Sequence, residues 1–156
     1  MDGEIQGAVY LDSSALAKLY LPEPESDELN RVLAGRRDLL VSDLAITEIV
    51  SAAARREREG TLAKRVASLV YRTLLDDREA GYFRQVALTD GAHREAERLL
   101  LSLQDAALRA ADALHLAMAL LAGARTIATF DQRMRRAADG LGLAVLPAPR
   151  GSPQAP

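Results

Sequence analysis

Ala8-Val9-Tyr10-Leu11-Asp12-Ser13-Ser14-Ala15-Leu16-Ala17-Lys18-Leu19-Tyr20-Leu21 is the stretch from which the fold can be read. A short apolar run of strand-forming residues stops at one acid, and a helical pattern begins directly after two hydroxyl residues. Strand, sharp corner and helix therefore follow one another within fourteen residues. In open α/β sheets, ligands bind just beyond the carboxyl ends of the strands, which is where Asp12 falls. The structural alternative is that Asp12 or Ser13 caps the helix by accepting a backbone N–H, the commoner role for such a residue on this stretch alone.

The same alternation continues outward from this stretch. A short helix is expected over 25–34 after the Pro22-Glu23-Pro24-Glu25 break, then a strand over 38–42 and a helix from Asp43 stopped at Gly60. A second long helical pattern runs from Thr61 to about Gly81, with Leu62, Val66, Leu69, Val70, Thr73 and Leu74 at spacings of three and four. Strands are expected at 84–89, 126–130 and 143–146. Helices are expected from about 90 to Leu103, over 110–122, where nearly every side is apolar, and from Asp131 to near Gly140. Short strands alternating with helices predict a three-layer α/β domain with a parallel sheet of about five strands and helices on both faces. The domain is expected over 1–147, with a flexible proline-rich tail over 148–156. The helical pair between Asp43 and Gly81 is long for a crossover and suggests an arm or a dimer surface.

At 156 residues the chain suits one domain, and 49% hydrophobic with 27% charged residues is the balance of a globular protein. There is no apolar run of membrane-spanning length and no basic, apolar leader, so no membrane partner and a cytoplasmic location are expected. The absence of cysteine excludes disulfides and thiolate metal sites. With His93 and His115 the only imidazoles, any metal should be a hard cation held by oxygen. A net charge of −2 and 4% aromatic residues argue against nucleic-acid capture by bulk attraction or by a stacking platform.

Four acids stand out. Asp12 and Asp131 each leave the carboxyl end of a strand at the start of a helix. Glu48 has Leu44, Ala45, Ser51 and Ala52 as helical neighbours and no basic partner on its own helix; a distant arginine is the structural alternative. Asp112 lies in the first turn of the apolar helix, where the helix dipole favours it by about 0.3 to 1 kcal/mol, among Ala110, Ala111, Ala113 and Leu114. If all four met, each pair about 5 Å apart would repel by roughly 3 kcal/mol at an effective dielectric of 20, so a counter-charge is required. Mg²⁺ or Mn²⁺ suits such donors, and the chemistry that follows is metal-assisted phosphodiester hydrolysis. Ser13, Ser14 and Thr129 could position water or phosphate, with capping again the alternative.

Asp12-Ser13-Ser14, Thr47-Glu48, Arg109-Ala110-Ala111-Asp112-Ala113-Leu114-His115 and Thr129-Phe130-Asp131, in this order over most of the chain, resemble the PIN-domain family. The small size and Leu11-Asp12-Ser13-Ser14-Ala15 resemble its VapC-type toxin ribonucleases. That resemblance implies a Mg²⁺- or Mn²⁺-dependent endoribonuclease with Asp12, Glu48, Asp112 and Asp131 as the acidic site. It implies a structured RNA substrate such as transfer or ribosomal RNA, a cognate antitoxin that often places a basic side chain among the acids, and a homodimer. Family members often carry Thr beside the first acid, and Ser13 keeps the hydroxyl. His115 is read as a packed or hydrogen-bonded core residue and His93 as exposed. Arg109 is placed to pair with Asp112 or reach a phosphate. Arg133, Arg135 and Arg136 could form a local basic patch or a solvated face, and Arg55, Arg56 and Arg58 read as surface. The competing readings are a catalytically silent binding module of the same fold, holding a protein or RNA, and an aspartyl phosphatase. The latter lacks its usual second acid, since Ser14 stands two residues after Asp12.

Overall fold

The computed structural model describes residues 5, 7–21, 23–24 and 26–148. Five parallel strands, β1 (Val9–Leu11), β2 (Leu39–Ser42), β3 (Arg84–Val86), β4 (Thr126–Ala128) and β5 (Ala144–Leu146), form one sheet in the order β3-β2-β1-β4-β5. From the central β1 the chain winds outward through β2 and β3, then returns to the other side of β1 with β4 and β5. The crevice between β1 and β4 is thus the point where strand order reverses, the place where such sheets bind ligands.

Among the described residues, seven α-helices cover the sheet: α1 (Ser13–Tyr20), α2 (Ser26–Leu33), α3 (Asp43–Arg58), α4 (Val66–Glu79), α5 (Asp90–Ser102), α6 (Ala110–Leu121) and α7 (Gln132–Gly140). Strand alternation divides the interior in two. Val9, Leu11 and Val41 pack with Leu16, Leu29, Ile49 and Leu74 of α1 to α4, while Tyr10, Leu40 and Ile127 pack with Leu99, Leu116 and Met134 of α5 to α7. The three-layer α/β architecture expected from the sequence is present. Most of the expected tail lies outside the described residues.

Several boundaries differ for identifiable reasons. Strand β4 ends at Ala128 rather than Phe130, because the Phe130 amide donates to Ser14 Oγ (2.8 Å) instead of the ladder. Strand β3 stops at Val86, and the Leu88 amide donates to Asp43 Oδ2 (3.1 Å). After α3, Gly60 adopts φ +73°, which glycine accepts without a Cβ penalty. The amides of Thr61 and Leu62 then turn back to Arg56 O, so α4 starts at Val66 rather than Thr61. Arg65 gives α4 no side-chain cap; Glu57 of α3 reaches across and accepts the Ala67 amide (2.6 Å).

The α3–α4 pair packs into the first core through Ala53, Ala67, Val70 and Leu74. Leu69, expected on its buried face, is 55% exposed, and Ala67 takes the inward position instead. A 3₁₀ turn over Gln104–Ala106 separates α5 from α6, a feature without a signal in the sequence pattern. Arg56 is half-buried and bonds Glu23 (3.0 Å), so it is not the free surface residue expected. His93 is exposed as expected, and Arg135 is tied to Pro147 O (2.8 Å). Among the described residues, no helix is long and apolar enough to cross a membrane.

Candidate active site

The Asp12 amide donates to Ala128 O (3.2 Å), so the first acid sits directly beside the end of β4. Its side chain is 3% exposed and caps α1: Oδ1 accepts from the Ala15 amide (2.9 Å) and from Ser14 Oγ (2.7 Å). Oδ2 accepts from Thr129 Oγ1 (2.5 Å). The capping alternative is therefore realised, and three donors converge on the carboxylate as well. Burial nevertheless lifts the Asp12 carboxyl above its usual range, against the opposing effect of Thr129, Ser14, the Ala15 amide and the charge of His115.

Thr129 links the first acid to the last. Its hydroxyl donates to Asp12 and accepts the Asp131 amide (3.1 Å). Asp131 caps α7, with Oδ1 accepting the Arg133 and Met134 amides (2.7 and 3.2 Å). Ser14 and Thr129 thus fasten the ends of β1 and β4 together through Asp12.

Glu48, in the second turn of α3, finds the partner its own helix lacks. His115 Nε2 lies 2.6 Å from Glu48 Oε2, and the Glu48 side chain is 31% exposed. Desolvation raises its pKa, but the His115 hydrogen bond and charge, with a contribution from Ser13, outweigh this and leave it below the ordinary carboxylate range. His115 is 3% exposed, and its Nδ1 lies 2.8 Å from the Tyr10 hydroxyl. That hydroxyl in turn lies 2.8 Å from Ser42 Oγ, which accepts the Ala45 amide (3.0 Å) and caps α3.

Asp112 is half-buried, one helical turn before His115 on the same face of α6. Its Oδ2 accepts the Arg109 backbone amide (2.9 Å). Arg109 itself is exposed, and no ion pair joins its guanidinium to Asp112 among the described residues. Hydrogen bonds join Asp12 and Asp131, with Ser14 and Thr129, at the ends of β1 and β4; Glu48, on α3 after β2, is linked to Asp12 only through His115, whose charge acts on both, and Asp112 only through the helix face it shares with His115. Among the described residues, no three carboxylate or imidazole groups stand close enough to form a ready metal cage, so the expected tight meeting of all four acids is not preformed.

The donor set nevertheless suits Mg²⁺ or Mn²⁺. Every candidate ligand is a carboxylate oxygen, and Mg²⁺ is commonly bound through one or two carboxylates, several waters and substrate phosphate rather than a closed cage. Asp112 Oδ1 and Asp131 Oδ2 accept no hydrogen bond from the described residues, while an ion at Asp12 would compete with Ser14 and Thr129.

Sequence reasoning did not find Tyr10 and Ser42, and it placed His115 in the core without its acidic partner. A hydroxyl-bearing aromatic two residues before the acid, inside an otherwise aliphatic strand, was the available signal for Tyr10.

A doubly wound parallel sheet with Asp12 and Asp131 at its switch point defines the class as an α/β protein with an acidic crevice. The sequence pattern of the PIN domain matches residues 9–140, and the chain belongs to that family. It is 38% identical over 148 residues to ribonuclease VapC46 of Mycobacterium tuberculosis, covering 89% of this chain and 96% of that one. The fold is similar to the crystal structure of Mycobacterium tuberculosis VapC20, described as a sarcin-ricin loop cleaving toxin. That match has a TM-score of 0.67 at 18% identity, over 83% of this chain and 95% of that one. It is also similar to a chain of a toxin–antitoxin complex from Klebsiella pneumoniae, with a TM-score of 0.54 at 18% identity, over 80% and 87% of the two chains.

Proposed function

We propose that this protein is a Mg²⁺- or Mn²⁺-dependent endoribonuclease acting as the toxin of a toxin–antitoxin pair in the cytoplasm. The observation that carries the reading is that Asp12 and Asp131 are held by hydroxyls at the ends of β1 and β4 while Glu48, on α3, is held by a buried imidazole. The ribonuclease name of a relative 38% identical supports the substrate class. Asp12, Glu48, Asp112 and Asp131 would hold the cation. When bound, it would activate water and stabilise charge on a phosphodiester.

The chain's own residues orient this chemistry. Ser14 and Thr129 fix the Asp12 carboxylate, Thr129 sets the register of Asp131, and His115 restrains Glu48. Arg109, exposed at the start of α6, is available to a phosphate. A structured RNA substrate (transfer or ribosomal RNA), a cognate antitoxin and a homodimer complete the proposal. The likeness to a chain of a toxin–antitoxin complex is in keeping with the antitoxin.

The test is cleavage of total transfer RNA and of ribosomes by the purified chain. Activity should require Mg²⁺ or Mn²⁺ and vanish in Asp12→Asn and Asp112→Asn while circular dichroism is unchanged. Undiminished cleavage by Asp112→Asn, purified free of host nuclease, would remove Asp112 from the site. A second reading, a silent module that holds a protein or RNA, draws on the lack of a preformed three-ligand cage among the described residues. It requires no metal-dependent stabilisation and no toxicity on expression.

A further inference from the structure

Four side chains from four elements make one buried line: Ser42 at the end of β2, Tyr10 in β1, His115 in α6 and Glu48 in α3. Ser42 and Tyr10 are 0% exposed and His115 3% exposed, and the line emerges only at the partly exposed Glu48 carboxylate. We propose that His115, anchored by Tyr10 and Ser42, is a positioning residue that holds the Glu48 carboxylate ready for a divalent cation. The inference rests on the metal-dependent nuclease reading and deepens it.

An ionised carboxylate has no proton to give, so His115 Nε2 must carry one and donate to Glu48 Oε2. Nδ1 then meets Tyr10, whose hydroxyl can donate or accept, and Ser42 completes the line while keeping its bond from the Ala45 amide. No buried side-chain polar atom is left without a partner among the described residues. The imidazole therefore has a fixed ring orientation.

Packing alone does not call for an imidazole here. Its neighbours along α6, Ala113, Leu116, Ala117, Met118 and Ala119, are all buried and apolar, and Tyr10 already has Ser42 as a partner. What His115 adds is reach from the α5–α7 layer across the sheet edge to an acid on the opposite layer. Glu48 has three side-chain torsions and would otherwise sample several rotamers. With His115 on Oε2 and a further hydrogen bond from Ser13, the carboxylate is set in one orientation before a ligand arrives, without that ordering cost.

The experiment is Mn²⁺ titration of the purified full chain, read by the electron paramagnetic resonance of free Mn²⁺, with thermal melts in EDTA to establish folding. His115→Leu should raise the Mn²⁺ Kd by about 10- to 100-fold, the usual range for removing a group that orients a ligand. His115→Gln, which keeps an amide donor at similar reach, should recover most of that loss. Tyr10→Phe keeps the buried ring and removes only the anchoring hydroxyl; it should raise Kd by about tenfold, the low end of the same range. Should His115→Leu fail to fold, Tyr10→Phe and His115→Gln decide the matter.

Wild-type Kd in both His115→Leu and Tyr10→Phe, with a weakened Kd in Glu48→Gln, overturns the positioning role and leaves the nuclease reading intact. Absence of Mn²⁺ binding in the wild-type chain, or wild-type Kd in both Glu48→Gln and Asp12→Asn, overturns the metal site itself and this inference with it.

Discussion

Replacing Asp12 with Asn should make the metal-free protein more stable at neutral pH while abolishing its activity. In the Asn variant, Oδ1 can keep the bonds from Ser14 and the Ala15 amide, and the new NH₂ can donate to Thr129 Oγ1. Three bonds to a charged acceptor become bonds to a neutral group, each weaker by about 1 kcal/mol, a loss of about 3 kcal/mol. Against this stands relief from burying an ion, worth several kcal/mol even after relaxation. Burial lifts the Asp12 carboxyl despite those bonds, so the sign favours Asn; with the relief at about 4 to 5 kcal/mol, the balance is on the order of 1 to 2 kcal/mol. For a chain of this length that is about 2 to 8 °C in melting temperature.

The sign with pH follows from the direction of the shift. A carboxyl whose folded pKa is raised contributes stability below its unfolded value, about 3.9, and loses it as pH climbs through the folded value. The Asn advantage should therefore be small near pH 4 and open on raising the pH toward 7. Melts by circular dichroism in EDTA across that range measure it. Saturating Mn²⁺ should reverse the order, because an ion bound only by native wild type at 100 times its Kd adds about 2.7 kcal/mol. An Asn variant that melts below wild type in EDTA, by an amount independent of pH, would refute the assignment of Asp12 as a buried charge held against its solvation.

Glu48→Gln should have the opposite sign. Its folded pKa is lowered through His115 and Ser13, so its contribution is present above the ordinary carboxylate range and lost as pH falls through the folded value. In EDTA the wild-type advantage over Glu48→Gln should thus hold at pH 7 and fade below about pH 4, as thermal melts will show. Thr129→Val strands both Asp12 Oδ2 and the Asp131 amide, and should cost about 2 to 4 kcal/mol in urea denaturation, with loss of RNA cleavage. Tyr20→Phe removes the bond from Tyr20 to Asp77 Oδ2 (2.6 Å) that ties the end of α1 to α4; it should lower stability by about 1 to 2 kcal/mol and leave metal affinity unchanged.

The fold was readable because its signals are local. Val9 to Leu11 ending at Asp12, and Thr126 to Ala128 followed by Asp131, each place strand, cap and helix within a few residues. The start of α4 was not readable, because it depends on the amides of Thr61 and Leu62 turning back to Arg56 and on Glu57 reaching Ala67 from another helix. Leu69 shows the same limit: helical spacing places it beside Val70, but the outward rotation of α4 is set by packing against α3. At the site, the hydroxyls beside the acids were legible as neighbours in sequence. The bonds from Tyr10 to Ser42 and His115, and from His115 to Glu48, span 32, 105 and 67 residues and exist only once both layers close on the sheet.

Capping and ligand roles, which compete on sequence grounds, are compatible in this structure because a carboxylate has two oxygens. Asp112 offers Oδ2 to the start of α6 and Asp131 offers Oδ1 to the start of α7; in each, the other oxygen accepts nothing from the described residues. Three of the four acids lie at helix starts, where amide dipoles favour a carboxylate by about 0.3 to 1 kcal/mol each and offset part of their mutual repulsion. Glu48, in the second turn of α3, has no such help from its backbone. It is also the one acid with a buried imidazole against it. The fold therefore compensates each acid locally, three with helix amides and the fourth with His115, so none of the four depends on a cation to be accommodated where it stands.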